Sequence, residues 1–153
     1  MKKLLCSLFA LSAVSTAMAQ EVNIKLLGTS DIHGRVVPWS YGADVEDKSG
    51  SYAQIATYVK DVRKNNKNVV LVDVGDAIQD NQVDVFAKDK KYYKDHPIPK
   101  VLNEMKYDIF VLGNHEFNFG MKALDEILKD IKAKKLTETS IIRKTINVIL
   151  MPQ

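Results

Sequence analysis

The sequence predicts an α/β fold in which a mostly parallel sheet carries helices on its faces. Strand-like and helix-like segments alternate three times along the chain, which is the order that produces parallel strands joined by helices. Two of the strand-like segments are short, continuous apolar runs, a pattern typical of strands inside a parallel sheet. With 153 residues, 46% of them hydrophobic, the chain has room for one domain with its own core.

The first half of the chain supplies one strand and one helix. The strand is predicted in "EVNIKLLGT", which alternates and then becomes apolar as it reaches Gly28. The polar segment "WSYGADVEDKSG" is predicted to be a loop. A helix follows in "SYAQIATYVKDVRKNN", where Ser51 and Gln54 form a capping box. The apolar residues of this helix recur at helical spacing: Tyr52, Ile55, Ala56, Val59 and Val62.

The second half supplies two strands, each followed or preceded by a helix. The valine-rich run "NVVLVDVGD" and the run "YDIFVLGN" are predicted to be buried strands. Between them Pro97 and Pro99 open a short helix that reaches Met105, with His96 as an exposed residue at its entry. The last helix is predicted in "MKALDEILKDIKAK", whose apolar residues are Met121, Leu124, Ile127, Leu128 and Ile131.

Residues 1–19 are predicted to be a signal peptide that is cleaved after Ala19. Two lysines at the start precede the apolar run Leu4–Val14, and the small-x-small pattern Ala17–Ala19 follows. The apolar run is too short to cross a bilayer as a stable membrane anchor. The mature protein is therefore expected to be secreted or periplasmic.

The charge balance excludes one class of partner. Without Lys2 and Lys3 the chain has 20 basic and 19 acidic residues, a net charge of +1. Opposite charges are interspersed, so no basic surface for a nucleic acid polymer is predicted. The only cysteine, Cys6, lies within the predicted signal peptide, so the mature protein is expected to lack thiol chemistry and disulfides.

Polar side chains of metal-binding types follow each of the three predicted strands. Asp31 and His33 follow the first strand, Asp76 the second, and Asn114 with His115 the third. Each pattern alone is common in turns, for example the Gly-Asp that contains Asp76. In an open α/β sheet, however, the carboxyl ends of the strands meet at one edge, where ligands bind. The three patterns together predict a site at that edge.

The chemistry of these side chains favours metal-dependent hydrolysis. Asp31 and His33 are two residues apart, so in an extended segment both project to the same side. Mixed carboxylate, imidazole and amide ligands suit Zn, Mn or Fe better than Ca. A carboxylate that bridges two ions about 3.5–4 Å apart would complete a two-metal hydrolytic site.

The segments "DIHG", "GDAIQDN" and "GNHEFNFG" resemble the first three motifs of the calcineurin-like metallophosphoesterases. Within that family they are most similar to secreted bacterial 5'-nucleotidases and 2',3'-cyclic-nucleotide 2'-phosphodiesterases, over about Val22 to Lys135. The resemblance implies the N-terminal half of an α/β/β/α sandwich. It also implies a nucleotide substrate and two divalent metal ions, which are Mn, Zn or Fe.

The same resemblance implies a role for each site residue. Asp31 and His33 would bind the first metal, Asp76 would bridge the two ions, and Asn114 would bind the second. His115 would not be a ligand. It would face the substrate and either stabilise the phosphoryl transition state or protonate the leaving oxygen.

Asn118 is the clue to the substrate branch. The 5'-nucleotidases typically have an aspartate three residues after this histidine, and the aspartate orients the ring. The form "HEFNFG" instead resembles the cyclic phosphodiesterases. Asn118 would therefore support His115 as a neutral partner, and 2',3'-cyclic nucleotides are the expected substrates.

The family's remaining ligands are histidines that come from later strands, and this sequence has no histidine after His115. The resemblance is expected to stop at Thr137, and residues 137–153 form an atypical tail that suggests a frameshift in a longer gene. Resequencing the codons for Lys135 to Glu138 tests this, since an unbroken frame in independent isolates would contradict it. A truncated chain with half a site is expected to be poorly folded and inactive.

One alternative function remains open, and one class of domain is excluded. The alternative function is that of a non-enzymatic secreted fragment that binds a metal or a nucleotide weakly. A dinucleotide-binding or P-loop domain is excluded, because "VGDAIQDN" and "LGNHEFNFG" contain neither G-x-G-x-x-G nor G-K-[ST].

Overall fold

The computed structural model describes residues 21–136. The predicted signal peptide (residues 1–19) and the tail (residues 137–153) lie outside the described residues. Six strands form in this range: β1 Lys25–Thr29, β2 Trp39–Ser40, β3 Val45–Glu46, β4 Val69–Asp73, β5 Ile109–Val111 and β6 Lys134–Leu136. Four of them make one parallel sheet in the order β1-β4-β5-β6, which confirms the predicted fold class.

Helices connect these parallel strands. The four α-helices are α1 Tyr52–Asn65, α2 Asp84–Lys88, α3 Pro97–Glu104 and α4 Met121–Lys129. Three short 3-10 turns cover Asn81–Val83, Lys90–Asp95 and His115–Phe117. No helix within residues 21–136 has the length and apolar character that crossing a bilayer requires.

The cap of α1 differs in detail from the predicted capping box. Ser51 is fully buried and its Oγ accepts from the backbone N–H of Gln54 at 3.4 Å, as predicted. The Gln54 side chain, however, accepts a hydrogen bond from the Ser51 hydroxyl at 3.0 Å instead of from a backbone N–H.

Two segments were assigned incorrectly from the sequence. The predicted loop "WSYGADVEDKSG" contains β2 and β3, which pair as an antiparallel hairpin. These strands have two residues each, which is too short to produce an alternating pattern. The last helix ends at Lys129, and β6 then joins the sheet beside β5. Ile131 fits the helical spacing of the sequence, but it lies in the loop after the helix, where it is buried at 2% exposure.

The core lies on one face of the sheet. Leu71 of β4 and Phe110 of β5 are fully buried there. They belong to one apolar cluster with residues of α1, α3 and α4, namely Val59, Leu102, Leu124 and Ile127. Strands alternate their side chains between the two faces. The helices of the described region therefore cover the face that carries Leu71 and Phe110.

The opposite face of the sheet is open in the described part of the chain. Leu26 of β1 is 71% exposed, and its neighbour in register, Val70, is only half-buried. Val72 of β4 is also half-buried, and Val74, just after that strand, is 48% exposed. The expectation that these strands are covered on both faces is thus met on one face only.

His96 is buried, which contradicts its predicted exposure. The residue is 1% exposed and caps the start of α3, where its Nδ1 accepts from the backbone N–H of Ile98 at 3.3 Å. Its Nε2 donates to the carbonyl oxygen of Ile78 at 3.2 Å. Burial lowers the pKa of His96 to about 4. The ring is therefore a neutral link between α3 and the segment after β4.

This pKa predicts a pH-dependent stability. Between pH 4 and about 6.5 the unfolded chain binds a proton at residue 96 that the folded chain does not bind, so the free energy of unfolding rises with pH. Over this pH range His96 changes the free energy of unfolding by roughly 3 kcal/mol. His96→Asn keeps an acceptor for the helix cap without titrating. Urea unfolding from pH 4 to 7 is expected to show a shallower pH dependence for the variant, whereas parallel curves would contradict this assignment.

Candidate metal centre

Backbone hydrogen bonds join the loop after β1 to the loop after β4. The N–H of Asp31 donates to the carbonyl oxygen of Gly75 at 3.1 Å, and the N–H of His33 donates to that of Asp76 at 2.9 Å. A third bond runs from the N–H of Gly34 to Ala77 at 3.0 Å. This pairing places His33 beside Asp76.

The loops after β4 and β5 touch through two glycines. Gly75 has a φ of +96°, and a Cβ atom there would overlap the backbone nitrogen of Gly113. A Cβ on Gly113 would in turn overlap the backbone and the carboxylate of Asp76. Only residues without side chains permit this approach, which brings Asp76 against the segment that carries His115.

The carboxylate of Glu116 holds the same two loops together. The residue is fully buried, and Oε2 accepts from the backbone N–H groups of Asp76 at 2.8 Å and Gly113 at 2.7 Å. Oε1 accepts from Ala77 at 2.7 Å and Ile78 at 3.2 Å. The predicted site did not include Glu116. Its position in "GNHEF", at the end of a buried strand, was the only signal of its role.

Asp76 is fixed from both sides in this arrangement. It is 9% exposed, its backbone N–H is bound by Glu116, and its Oδ1 accepts from the backbone N–H of His115 at 2.8 Å. The contact uses one lone pair of Oδ1, so Oδ2 and the second lone pair of Oδ1 remain for an external ligand.

Three side chains converge at the carboxyl edge of the sheet. One donor atom each of His33, Asp76 and His115 lies within 4.8 Å of the other two. The two imidazole rings meet edge to face, with centroids 5.2 Å apart and planes at 69°. Metal–ligand bonds to nitrogen or oxygen measure about 2.0–2.2 Å, so two ligands of one ion lie at most roughly 4.4 Å apart. Small side-chain shifts would therefore let this cluster hold a divalent ion.

The other predicted ligands lie at the margin of the cluster. Asp31 has a side chain that is 62% exposed, and its Oδ1 lies 4.0 Å from His33 Nε2. Asn114 is exposed at the start of the 3-10 turn that contains His115. The structure thus brings His33, Asp76 and His115 together and leaves Asp31 and Asn114 beside them.

Two amide side chains enclose one nitrogen of His115. Asn118 Nδ2 lies 2.9 Å from His115 Nδ1 and donates to Gln79 Oε1 at 2.6 Å. Gln79 Oε1 itself lies 3.2 Å from His115 Nδ1. Gln79 is a further residue that sequence reasoning missed. Its only signal was its position in the loop that carries Asp76.

Three of the predicted ligands have a left-handed backbone. The φ angles are +55° at Asp31, +50° at His33 and +56° at Asp76. Such values are uncommon outside glycine, although aspartate, asparagine and histidine adopt them most readily. Residues held in this region cluster at functional sites. The loops therefore place their polar side chains through a backbone that is costly to form.

A buried carboxylate supports the floor of the site. Asp73, at the end of β4, accepts from the hydroxyls of Thr29 at 2.7 Å and Tyr52 at 3.0 Å, and from the backbone N–H of Gly75 at 3.0 Å. Burial raises the pKa of Asp73, although these hydrogen bonds act in the opposite direction. The network connects the ends of β1 and β4 to α1 beside the loops that carry the candidate site residues.

Comparison with known proteins gives concordant results. The family model described as calcineurin-like phosphoesterase matches residues 24–147, a range that extends past Thr137. The trifunctional nucleotide phosphoesterase protein YfkN of Bacillus subtilis is 40% identical over 119 residues, which are 72% of this chain and 8% of that protein. The 2',3'-cyclic-nucleotide 2'-phosphodiesterase/3'-nucleotidase of Haemophilus influenzae is 35% identical over 131 residues, which are 82% of this chain and 20% of that protein.

A solved structure agrees with the fold. The crystal structure of the calcineurin-like phosphoesterase YfkN from Bacillus subtilis superposes with a TM-score of 0.67 at 37% identity. The superposition covers 74% of this chain and 36% of that one. The chain therefore spans about a third or less of the proteins that it matches.

Proposed function

The chain belongs to the calcineurin-like phosphoesterase family, and from this premise we propose that its loops form part of a centre for metal-dependent hydrolysis of nucleotide phosphate esters. The convergence of His33, Asp76 and His115 is the observation that supports the proposal most directly, because it places two proposed ligands beside the histidine that is proposed to face the substrate. The activities by which the relatives are named, a nucleotide phosphoesterase and a cyclic-nucleotide phosphodiesterase, support the substrate class.

Each residue of the centre has a proposed role. Asp31 and His33 would hold one ion, Asn114 would hold a second, and Asp76 would contribute to the binding of both. Divalent ions at such a site supply charge that stabilises the phosphoryl oxygens and activate a water for attack at neutral pH. His115 faces the substrate, and its ring N–H stabilises negative charge that develops on the phosphoryl or leaving oxygen.

Within this substrate class we infer a preference for 2',3'-cyclic nucleotides, because the form "HEFNFG" resembles the cyclic phosphodiesterases. Nδ1 of His115 meets the amides of Asn118 and Gln79, and neither is a carboxylate. A neutral amide can orient the ring through a hydrogen bond. A full-length homologue with asparagine at the position of Asn118 is therefore expected to hydrolyse 2',3'-cyclic AMP faster than AMP, and a clear preference for AMP would contradict this.

We further propose that the 153-residue polypeptide is inactive on its own and is exported across a membrane. Export is supported by the signal-like segment at residues 1–19. Inactivity is supported by the ligand count, because His33, His96 and His115 are the only histidines of the chain and His96 is buried in a helix cap. Turnover of 2',3'-cyclic AMP by the purified chain with added Mn²⁺ would overturn the proposal of inactivity.

Metal titration tests the proposed centre. The wild-type chain is expected to bind Mn²⁺ in isothermal calorimetry, and Asp76→Asn is expected to weaken binding at least about tenfold because a charged ligand is lost. The variant keeps the acceptor for the His115 N–H, so the loop contact is retained. Asp125→Asn, the same change at an exposed position of α4, is the matched control and should bind Mn²⁺ as the wild type does.

The same titration distinguishes the alternative function. A non-enzymatic secreted fragment needs no defined metal site. Absence of Mn²⁺ and Zn²⁺ binding, or equal binding by wild type and Asp76→Asn, would favour that alternative over the phosphoesterase centre.

A further inference from the structure

We propose that Asp80 is a positioning residue that holds the His33 ring with Nδ1 protonated and with Nε2 turned toward the metal centre. The proposal rests on the function proposed above, since it assigns His33 a metal-binding nitrogen. Asp80 belongs neither to the predicted ligands nor to the cluster of His33, Asp76 and His115.

The two nitrogens of His33 face two different carboxylates. Nδ1 lies 2.9 Å from Asp80 Oδ2, whereas Nε2 lies 4.0 Å from Asp31 Oδ1. Asp31 belongs to the proposed ligands, so we assign Nε2 as the nitrogen that would bind the ion. Asp80 contacts the other ring nitrogen, so it can act on His33 without being a ligand itself.

Nδ1 of His33 needs the partner that Asp80 offers. This atom is screened from solvent, and among residues 21–136 it makes no hydrogen bond of good angular geometry. A buried ring nitrogen without a partner is unfavourable, and the Asp80 carboxylate at 2.9 Å is near enough to supply one. An ionised carboxylate only accepts, so the proton must be on Nδ1, which leaves the lone pair of Nε2 for a metal. Metal-binding histidines commonly donate their other ring N–H to such a carboxylate.

The segment that carries Asp80 is attached to His33 and to α2. The Asn81 side chain donates to the backbone carbonyl of His33 at 2.5 Å, and the backbone N–H of Asp80 donates to Asp84 Oδ1 at 2.6 Å. Asp80 has a φ of +78°, a conformation that favours glycine. An aspartate in this conformation carries backbone strain, and a favourable contact between its carboxylate and His33 would offset that strain.

A surface ion pair is the competing explanation, because half of the Asp80 side chain is exposed. An ion pair requires a charged imidazolium, whereas the positioning role requires a neutral ring with its proton on Nδ1. Free neutral imidazole side chains favour the proton on Nε2. The tautomer of His33 therefore separates the two explanations without any metal present.

The first measurement is ¹⁵N NMR of the metal-free chain at about pH 8.5, about two units above the ordinary histidine pKa. The wild type is expected to show His33 as the Nδ1–H tautomer. Asp80→Ala is expected to shift it to the Nε2–H tautomer, and Asp80→Asn, which keeps an acceptor oxygen, to retain part of the wild-type signal. With only three histidines in the chain, His96→Asn and His115→Gln variants assign the resonances.

The second measurement is Mn²⁺ titration. Asp80→Ala is expected to weaken binding by about 10- to 100-fold, the range seen when the partner of a metal-binding histidine is removed. Asp125→Ala is the matched control, and circular dichroism checks that the variants are folded. If Asp80→Ala does not fold, Asp80→Gly, which removes the acceptor and suits the φ of +78°, replaces it in both measurements, and a Gly variant that matches the wild type in both would overturn the proposal.

The outcomes separate this inference from the proposed function. A wild-type chain with the Nε2–H tautomer, or an Asp80→Ala variant that binds Mn²⁺ as tightly as the control, would overturn the role of Asp80. A wild-type chain that binds no metal would overturn the proposed centre instead, while the tautomer measurement would still decide whether Asp80 orients the ring.

Discussion

Replacement of Glu116 with glutamine is expected to lower the free energy of unfolding by about 3 to 6 kcal/mol. Each carboxylate oxygen accepts two backbone N–H groups, so either orientation of the amide removes two hydrogen bonds to a charged group and sets an NH₂ against two donors. Each such bond contributes about 1.5–3 kcal/mol. The loss is comparable to the whole stability of a small domain. Urea unfolding followed by circular dichroism should show a weakened or absent cooperative transition.

Glu126→Gln is the control for this experiment. Glu126 pairs with Lys129 on the surface of α4, and an exposed pair of this kind contributes little. Its variant is expected to unfold within about 0.5 kcal/mol of the wild type. If Glu116→Gln and Glu126→Gln unfold at the same urea concentration, the carboxylate of Glu116 does not hold the two loops together.

The second large effect is expected from Gly113→Ala. The added methyl group would overlap the backbone nitrogen and the carboxylate of Asp76, so the loops after β4 and β5 must separate. Separation also breaks the bonds of Glu116 to both loops. We expect destabilisation of about 4 kcal/mol or more, which is in the range of severe packing defects. The measurement is again urea unfolding, accompanied by Mn²⁺ titration to detect displacement of Asp76.

Gly28→Ala provides a matched control with the opposite expectation. Gly28 lies in β1 at an ordinary φ, and a Cβ there would meet no atom within 4 Å. Alanine should therefore be neutral or slightly stabilising, because it restricts the unfolded chain. Equal stability of the Gly113→Ala and Gly28→Ala variants would show that the loops can adjust to the added methyl group.

The sequence was sufficient for the elements that carry a long periodic pattern. The helix α1 and the strand β4 were located because spacing and composition both indicated them. The hairpin β2–β3 and the strand β6 were missed, since two or three residues cannot show a period. Whether such short strands form depends on how they pair with neighbouring strands, which the local sequence does not determine.

The proximity of the candidate site residues was predictable, whereas the contacts that support them were not. The rule that parallel strands share a carboxyl edge brought His33, Asp76 and His115 together correctly. The supporting contacts of Glu116 and Gln79 were not predictable, because they depend on backbone N–H groups and side chains from another loop. Burial of His96 was missed for the same reason, since its partner Ile78 lies 18 residues away in the sequence.

The open face of the sheet bears on how the isolated chain behaves. Leu26, Val70 and Val72 form an apolar surface on parallel strands within the described residues. Such a surface favours association unless another layer covers it. Experiments on the isolated chain should therefore use low protein concentration, and trimethylamine N-oxide can be added to strengthen the folded state.

The left-handed backbone at Asp31, His33 and Asp76 has a consequence for how these loops can change by mutation. Few residue types tolerate this conformation, and asparagine and glycine are among them. Both are reached from an aspartate codon by one nucleotide change. Loss of the carboxylate at Asp31 or Asp76 can therefore leave the loop shape intact, so a folded variant without that candidate ligand is a single substitution away. Valine or isoleucine at these positions would instead destabilise the loops, because β-branched residues do not tolerate a positive φ.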